Sequence, residues 1–379
     1  MSKMNIAFYT DSFYPAVDGV VISINNFTKE LERRGHKVYI FTAGNKKNHN
    51  GSMNVFFMRG IKFNKYPQYT VAMFPFLSSI KMRELDIDIV HAHTPFSIGL
   101  AALTNARLNK LPLVSTFHTM FNDNAVIEEY VSSNGLMKDV IKKYSWSYAK
   151  FFYNKCDKVI TPSTTIEHLL HKNNINSTVV VENGIDLKMF NNKVKSDYIK
   201  NWITDGKDYK LVLYVGRVSK EKRLDTMIKA ARILKSKRIY FAIVGVGPAL
   251  EYYKHLANSY GLDKFKFLGF VPNAELPKYY NAADVFCMPS TFETQGIVAI
   301  EAMACGKPVV GADHLALKEL IINGKNGEKF KPNNPKECAK KIEKVINNID
   351  EYNQTIITAK NYSIEKVTDK LIDVYRQLL

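Results

Sequence analysis

The sequence predicts an α/β protein of two tandem doubly wound domains that face a cleft. Three observations predict it. The chain has 379 residues, long for one hydrophobic core and suited to two. Short apolar runs alternate with amphipathic stretches of helical period through both halves. A polar stretch, NNKVKSDYIKNWITDGKDYK, separates the two series. The expected layout is an N-terminal domain over 1–190, a linker over 191–208 and a C-terminal domain over 209–361. In open α/β sheets ligands sit outside the carboxyl ends of the strands, so the active site is expected where the two sets of strand ends meet.

NIAFYT reads as the first strand. The loop PAVDGVV follows, then the helical pattern SINNFTKELERRG with Ile24, Phe27 and Leu31 on one face, then the strand KVYIFTA. That is a βαβ unit. Further strands are expected at NVFFM, DIVHAH, LVSTFH, KVITPS and TVVVENG, with helices between them. KFNKYPQYTVAMFPF (62–76) contains prolines and reads as a loop, and DVIKKYSWSYAKFFYNK (139–155) as a helix. Both mix lysine with aromatic rings, as interfacial segments do. In the helix, Ile141, Tyr144, Tyr148 and Phe151 fall at a spacing that fits core packing. The second series comprises KLVLYVG, a helix RLDTMIKAARILK, YFAIVG, a helix ALEYYKHLANSYG, FKFLGF, DVFCMPS and KPVVGA. In the closing IEKVTDKLIDVYRQLL, Val367, Leu371, Val374, Tyr375 and Leu378 make one apolar stripe.

Composition narrows the class. With 46% hydrophobic and 23% charged residues the chain is globular, and no apolar run approaches membrane-spanning length. No signal peptide is read at the N-terminus, so a cytoplasmic protein, soluble or attached to the membrane face, is expected. A formal charge of +17 implies attraction to anionic surfaces or phosphorylated ligands. The four cysteines, Cys156, Cys287, Cys305 and Cys338, have no paired spacing and read as small buried hydrophobes.

Two stretches carry the chemistry. In LVLYVGRVSKEKRLD, Gly216 ends a strand, Arg217 follows, and Lys220, Lys222 and Arg223 lie before the next helix. A guanidinium fork and an ammonium suit a diphosphate. TFETQGIVAIEAMACGKPVVG (291–311) raises a sharper question, because Glu301 is the one polar residue from Ile297 to Ala304. An unpaired carboxylate buried there would cost several kcal/mol, so Glu301 needs donors from the protein or from a ligand's hydroxyls. The residues alone leave both open. Glu293 stands on the preceding loop, and Gln295, Gly296 and Ile297 offer backbone N–H groups at a helix start. His91 and His93 share a strand face, and Asp86 and Asp88 form an acid-x-acid pair. With no further ligand at a metal spacing, structural or hydrogen-bonded roles are expected for the two histidines, the two aspartates read as the solvated start of a strand, and no metal is predicted.

The sequence resembles retaining glycosyltransferases of the two-domain GT-B class. The resembled family, number 4, includes phosphatidylinositol mannosyltransferases and diacylglycerol glucosyltransferases. The resemblance covers nearly the whole chain and rests on YPAVDGVVISI, DIVHAHTP, STFHT, VITPS, VENGID with Phe190, YVGRVSKEK, VGVGP, FLGFVP, the Glu-x7-Glu stretch and EAMACGKPVVG. It implies that Gly19 approaches the donor's distal phosphate and that Arg217 and Lys222 neutralise the diphosphate. It also implies that Glu301 holds the ribose and Glu293 the transferred hexose. Gln295, Gly296 and Ile297 would give N–H groups to sugar or phosphate, Phe270 and Val271 would meet the nucleobase with main-chain groups, and His118 would face the sugar. The helix 362–379 is implied to pack back on the N-terminal domain. Two departures stand out. Thr294–Gln295–Gly296 replaces a common glycine–phenylalanine pair, in the manner of the lipid-linked branch, and Val246 replaces a polar residue in VGVGP. Leu250 stands where a dinucleotide fingerprint needs its third glycine.

The expected reaction moves a hexose, glucose or mannose, from a UDP- or GDP-sugar to a hydroxyl with retention and without a metal or other cofactor. The acceptor is a membrane lipid or, alternatively, a soluble oligosaccharide or small molecule. A non-catalytic basic binding protein on the same fold is the alternative of another class. The complete set of Arg217, Lys222, Glu293 and Glu301 argues against it, and no nucleic-acid partner is expected.

Overall fold

The computed structural model describes residues 3–14, 18–44, 54–58, 60–63, 66–72, 79–118, 120 and 135–379, with the side chains of 61–63, 66–72, 79–80 and 135–143 left aside. The chain divides into two compact units. One runs to Gly184 and takes in Ile364–Leu379; the other holds Ile185–Ser363.

The N-terminal unit is built on seven parallel strands: β1 (Asn5–Thr10), β2 (Lys37–Ala43), β3 (Asn54–Met58), β6 (Ile89–Ala92), β7 (Leu113–Thr116), β8 (Lys158–Thr161) and β9 (Thr178–Val180), in the order β3-β2-β1-β6-β7-β8-β9. A parallel sheet needs helices on both faces, which is why its strands are apolar at nearly every position. Ile6, Phe8, Val38, Ile40, Ile89, Val114 and Ile160 are all buried. The helix Gly19–Arg33 adds Val20, Ile24, Phe27 and Leu31 to the same core, and the closing helix Ile364–Arg376 adds Val367, Leu371 and Tyr375. Each such side chain contributes about 1.5–3 kcal/mol when fully buried. Polar ties hold the closing helix as well: Lys370 Nζ meets Glu182 Oε2 at 2.8 Å, and Arg34 pairs with Asp369.

The C-terminal unit carries six parallel strands: β10 (Lys210–Val215), β11 (Ile239–Val244), β12 (Phe265–Gly269), β13 (Val285–Met288), β14 (Val309–Ala312) and β15 (Gly327–Phe330). Their order is β12-β11-β10-β13-β14-β15. Chain order reverses between β10 and β13 here, and between β1 and β6 in the first unit. Such reversals splay the connecting helices apart and open a crevice at the strands' carboxyl ends.

The structure departs from the sequence reading at four places. Within 191–208, read as a linker, lies the helix Asp197–Thr204, with Ile203 and Thr204 buried in the C-terminal unit. Within 62–76, read as a loop, an antiparallel pair forms from β4 (Gly60–Phe63) and β5 (Tyr66–Ala72), and Pro67 is tolerated in a two-stranded ribbon. The helix Gly135–Tyr153 exists, but it turns Tyr144 and Phe151 outward, at 71% and 51% exposure, and buries Ala149, Phe152 and Tyr153 instead. Ile141 lies outside the described side chains. The strand β15 went unread because GEKF has too few apolar residues to signal one.

Candidate active site

The cationic candidates stand at the carboxyl end of β10, beside the switch point of the C-terminal unit. Gly216 leaves the strand at φ +147°, where a side chain is strained and where a Cβ would come 2.9 Å from Tyr214 Oη. That hydroxyl, on a fully buried ring, donates to Arg217 O at 3.1 Å and fixes the turn. Val218 N donates to Val246 O and Ala249 N to Val218 O, both at 3.0 Å. A Cβ on Gly245 would lie 1.9 Å from Gly216 O, so this glycine serves close packing of two strand ends. The VGVGP stretch therefore braces the Arg217 loop. Lys222 ends a short 3-10 turn, Lys220–Lys222.

Across the switch point, β13 runs into the loop that carries Glu293. Lys222 Nζ meets Glu293 Oε1 at 2.7 Å, with the side chains only 19% and 12% exposed. Glu293 O accepts from Ala316 N at 3.3 Å, which ties the loop to the helix Leu315–Leu320. Gly296 takes φ +88° to start the helix Ile297–Ala304. The N–H groups of Ala299 and Ile300 close back on Gly296 O, so those of Ile297 and Val298 are the ones the helix leaves over. A Cβ at Gly296 would also approach Leu317 Cδ2 to 3.0 Å. Gln295 is buried.

Glu301 lies fifth in that helix and is 2% exposed. One of its oxygens has a donor within the protein, which the sequence reading did not supply: Tyr280 Oη donates to Glu301 Oε2 at 2.8 Å. Tyr280 is itself fully buried, edge-on to Phe190 with centroids 5.9 Å apart. Burial pushes the Glu301 carboxyl up to about 7, and the Tyr280 hydrogen bond acts the other way. The motif phenylalanine, the tyrosine and the acid thus form one contiguous cluster. No motif pointed to Tyr280, which lies 301 − 280 = 21 residues before its partner. Phe270 and Val271 follow β12; Phe270 is 61% exposed and Val271 packs on the core.

In the N-terminal unit, Gly19 is the first residue of its helix. Asp18 caps that start, its Oδ1 accepting from Val20 N and Val21 N at 3.0 Å, while Ser12 Oγ donates to its Oδ2 at 2.6 Å. His118 lies just beyond β7, its Nε2 3.0 Å from His93 Nδ1. His91 stacks on His93 with centroids 4.2 Å apart, and His93 stacks on His118 at 5.3 Å. Burial pushes the His91 and His118 imidazoles down to about 3 and His93 well below its ordinary value, so all three are neutral. Asp11, at the switch point between β1 and β6, accepts from Thr94 Oγ1 at 2.6 Å and from Ser97 Oγ at 2.5 Å. It pins the loop that carries His93, a tie that no sequence pattern announced. Asp88 Oδ2 accepts from Asn5 N at 2.7 Å and anchors the start of β1. Among the described residues, no group of His, Cys, Asp and Glu is arranged to hold a metal ion.

A family model described as Glycosyltransferase Family 4 matches residues 17–189, and one described as Glycosyl transferases group 1 matches residues 198–362. Alpha-monoglucosyldiacylglycerol synthase of Streptococcus pneumoniae is 31% identical over 84% of this chain and 73% of its own. The chain belongs to this glycosyltransferase family. A second relative, alpha-monoglucosyldiacylglycerol synthase of Acholeplasma laidlawii, is 30% identical over 87% of this chain and 85% of its own. Among solved structures, sucrose-phosphate synthase from Thermosynechococcus elongatus superposes with a TM-score of 0.80 at 21% identity, covering 99% of both chains. The Anabaena protein Alr3699/HepE in complex with UDP follows at 0.78 and 20%, covering 99% of this chain and 100% of that one. These likenesses give the glycosyltransferase the GT-B fold.

Proposed function

We propose that this glycosyltransferase moves a hexose, glucose first and mannose second, from a nucleotide-diphosphate sugar to the hydroxyl of a membrane glycerolipid, with retention at the anomeric carbon. The observation that carries the donor reading is the Lys222–Glu293 ion pair, formed between the segments that follow the two strands flanking the switch point, the first of which also carries Arg217. A diphosphate competes with Glu293 for the Lys222 ammonium, which frees the carboxylate to accept hydroxyls of the sugar. Arg217, Lys222 and the helix start at Gly296 then meet the charge that develops as the sugar leaves. Glu301, held at one oxygen by Tyr280, offers the other to the ribose. Gly19 and His118 are proposed for the distal phosphate and the sugar, and the main chain at Phe270 and Val271 for the base.

No residue in this set is placed as a covalent nucleophile, so a front-face route is proposed, in which the departing phosphate takes the acceptor's proton. Charge compensation comes from Arg217 and Lys222, so transfer is expected to persist in excess EDTA. The word alpha in both relatives' names supports retention, because common UDP-hexose donors are α-linked.

The same names support a lipid acceptor. So do Tyr144 and Phe151, exposed on the helix Gly135–Tyr153, with Lys150 also exposed and Lys155 Nζ, just past the helix end, 4.9 Å from the centre of the Phe151 ring. No helix of the described residues is long and apolar enough to cross a membrane. The test pairs a thermal-shift screen of UDP- and GDP-hexoses with transfer to diacylglycerol in anionic vesicles. A donor at a hundred times its dissociation constant adds about 2.7 kcal/mol of stability. No shift with any nucleotide sugar would refute the donor assignment; transfer only to soluble sugars would refute the lipid.

A further inference from the structure

We propose that the C-terminal unit has a lipid contact of its own: the exposed face of the helix Asp197–Thr204, led by Tyr198 and Trp202, docks on an anionic membrane surface. The inference rests on the reading that the acceptor is a membrane glycerolipid, and it names a surface of the second unit that meets the bilayer.

The helix uses one apolar side for folding and leaves another in water. Ile203 is fully buried, and Ile199 packs on the core of the unit. Tyr198 and Trp202, four positions apart and so on one face, stand 56% and 57% exposed. A surface helix ordinarily carries polar residues outside its core stripe. Here two large rings, one of them from the chain's two tryptophans, stand there instead. Adjoining exposed rings within a charged rim mark a contact surface.

Lysines surround the pair. Lys266 Nζ donates to Trp202 O at 3.5 Å and meets Asp205 Oδ1 at 2.6 Å, while Lys278 lies beside the Tyr198 hydroxyl and pairs with Glu275. Lys193, Lys195 and Lys207 are exposed and, among the described residues, stand in no ion pair. Of the acids in 191–208, Asp205 serves Lys266 and Asp208 faces Arg238 at 3.6 Å, which leaves Asp197 to answer three ammonium groups. The surplus is positive.

Residue type decides the occupant. Protein interfaces favour Arg and are depleted in Lys, whereas every cation in 191–210 is Lys. Trp and Tyr settle at headgroup level, where the ring is apolar and its polar edge stays wet. Each lysine close to an anionic leaflet strengthens partition about fivefold. An anionic lipid surface fits both halves of this pattern.

Trp146→Phe leaves Trp202 as the one tryptophan, so its emission reports on this face directly. With vesicles of phosphatidylglycerol and phosphatidylcholine, the emission is expected to shift to the blue and to escape quenching by acrylamide, and both changes should fade as salt rises. Phosphatidylcholine alone should move it far less. Lys195→Gln and Lys207→Gln should each cut partition about fivefold at low salt. Tyr198→Ser with Trp202→Ser should cut co-sedimentation several-fold and leave the melting temperature and the UDP affinity unchanged. Should Trp146→Phe not fold, that double variant decides, and undiminished binding by it overturns the proposal. So does Trp202 emission that stays put in vesicle-bound protein, or a failure to bind anionic vesicles at all. An emission shift that follows protein concentration without vesicles would make the face a self-association surface and overturn it too. Transfer confined to soluble sugars, with the blue shift intact, would remove the lipid acceptor and keep the docking surface, so the two failures are distinguishable.

Discussion

The two units hold their candidate groups in opposite electrostatic states. In the N-terminal unit, His91, His93 and His118 are neutral, stacked and bound to fixed partners. In the C-terminal unit, Lys222 and Glu293 form a partly buried ion pair, and Glu301 sits with its carboxyl near the point of half-ionisation at neutral pH. The contrast teaches what each surface is prepared to meet. Fixed neutral hydrogen-bonding groups suit hydroxyls, whereas exchangeable charge suits an anion that must arrive, react and leave.

The largest effect should come from breaking the charged side. Arg217→Ala is expected to slow transfer on the order of 10² to 10³-fold, the range seen when a transition-state charge partner is lost, with a smaller loss of nucleotide affinity. Steady-state kinetics beside UDP titration separates the two, and a rate within a few-fold of the unaltered enzyme would break the assignment.

Titration sharpens the comparison, because the units should respond to pH in opposite directions. Below about 6.5 the unfolded histidines take protons that the folded His91 and His118 refuse down to about 3. Stability from each is therefore lost as pH falls through that window, by about 1.4 kcal/mol per unit. Glu301 runs the other way. Its folded value of about 7 lies above the ordinary 4.5, so between these values the folded state keeps a proton that the unfolded state has released. Stability falls as pH rises from 4.5 to 7, by about 3 kcal/mol in total, and stays lost above. Thermal melts of the enzyme and of Glu301→Gln at pH 5 and pH 8 check this: the variant should gain on the parent at pH 8. An equal difference at both values would contradict it. The same variant should bind UDP more weakly, because an amide cannot accept at both positions.

A smaller change follows at the partner. Tyr280→Phe removes one buried hydrogen bond and should cost about 1–3 kcal/mol in chemical denaturation while moving the Glu301 titration further up. The smallest effect is at the surface. Tyr144→Ser with Phe151→Ser should weaken binding to anionic vesicles several-fold and leave the UDP affinity unchanged, as co-sedimentation and calorimetry would read.

The fold was legible because parallel strands buried on both faces leave long apolar signatures, as in KLVLYV and IYFAIV. The short, charged GEKF and the proline-containing pair at 60–72 carry no such signature and went unread. Candidate residues fared differently. Arg217 and Lys222 stand out in sequence because cations after a strand's end are conspicuous, and the fold sets Lys222 against Glu293, 71 positions on. The Tyr280–Glu301 bond was out of reach because it joins two helices whose packing no local pattern states. Helical spacing led to a core-packing reading of Tyr144 and Phe151, and the structure turns both outward, because spacing alone does not say which face of a helix meets the core.

A crystal structure with UDP bound tests the central claim most directly. The account predicts the diphosphate within hydrogen-bond distance of Arg217 and Lys222, the Lys222 ammonium drawn from Glu293 toward phosphate oxygen, and the ribose against Glu301. A bound nucleotide that leaves the 2.7 Å Lys222–Glu293 contact intact and touches neither Arg217 nor Glu301 would contradict it.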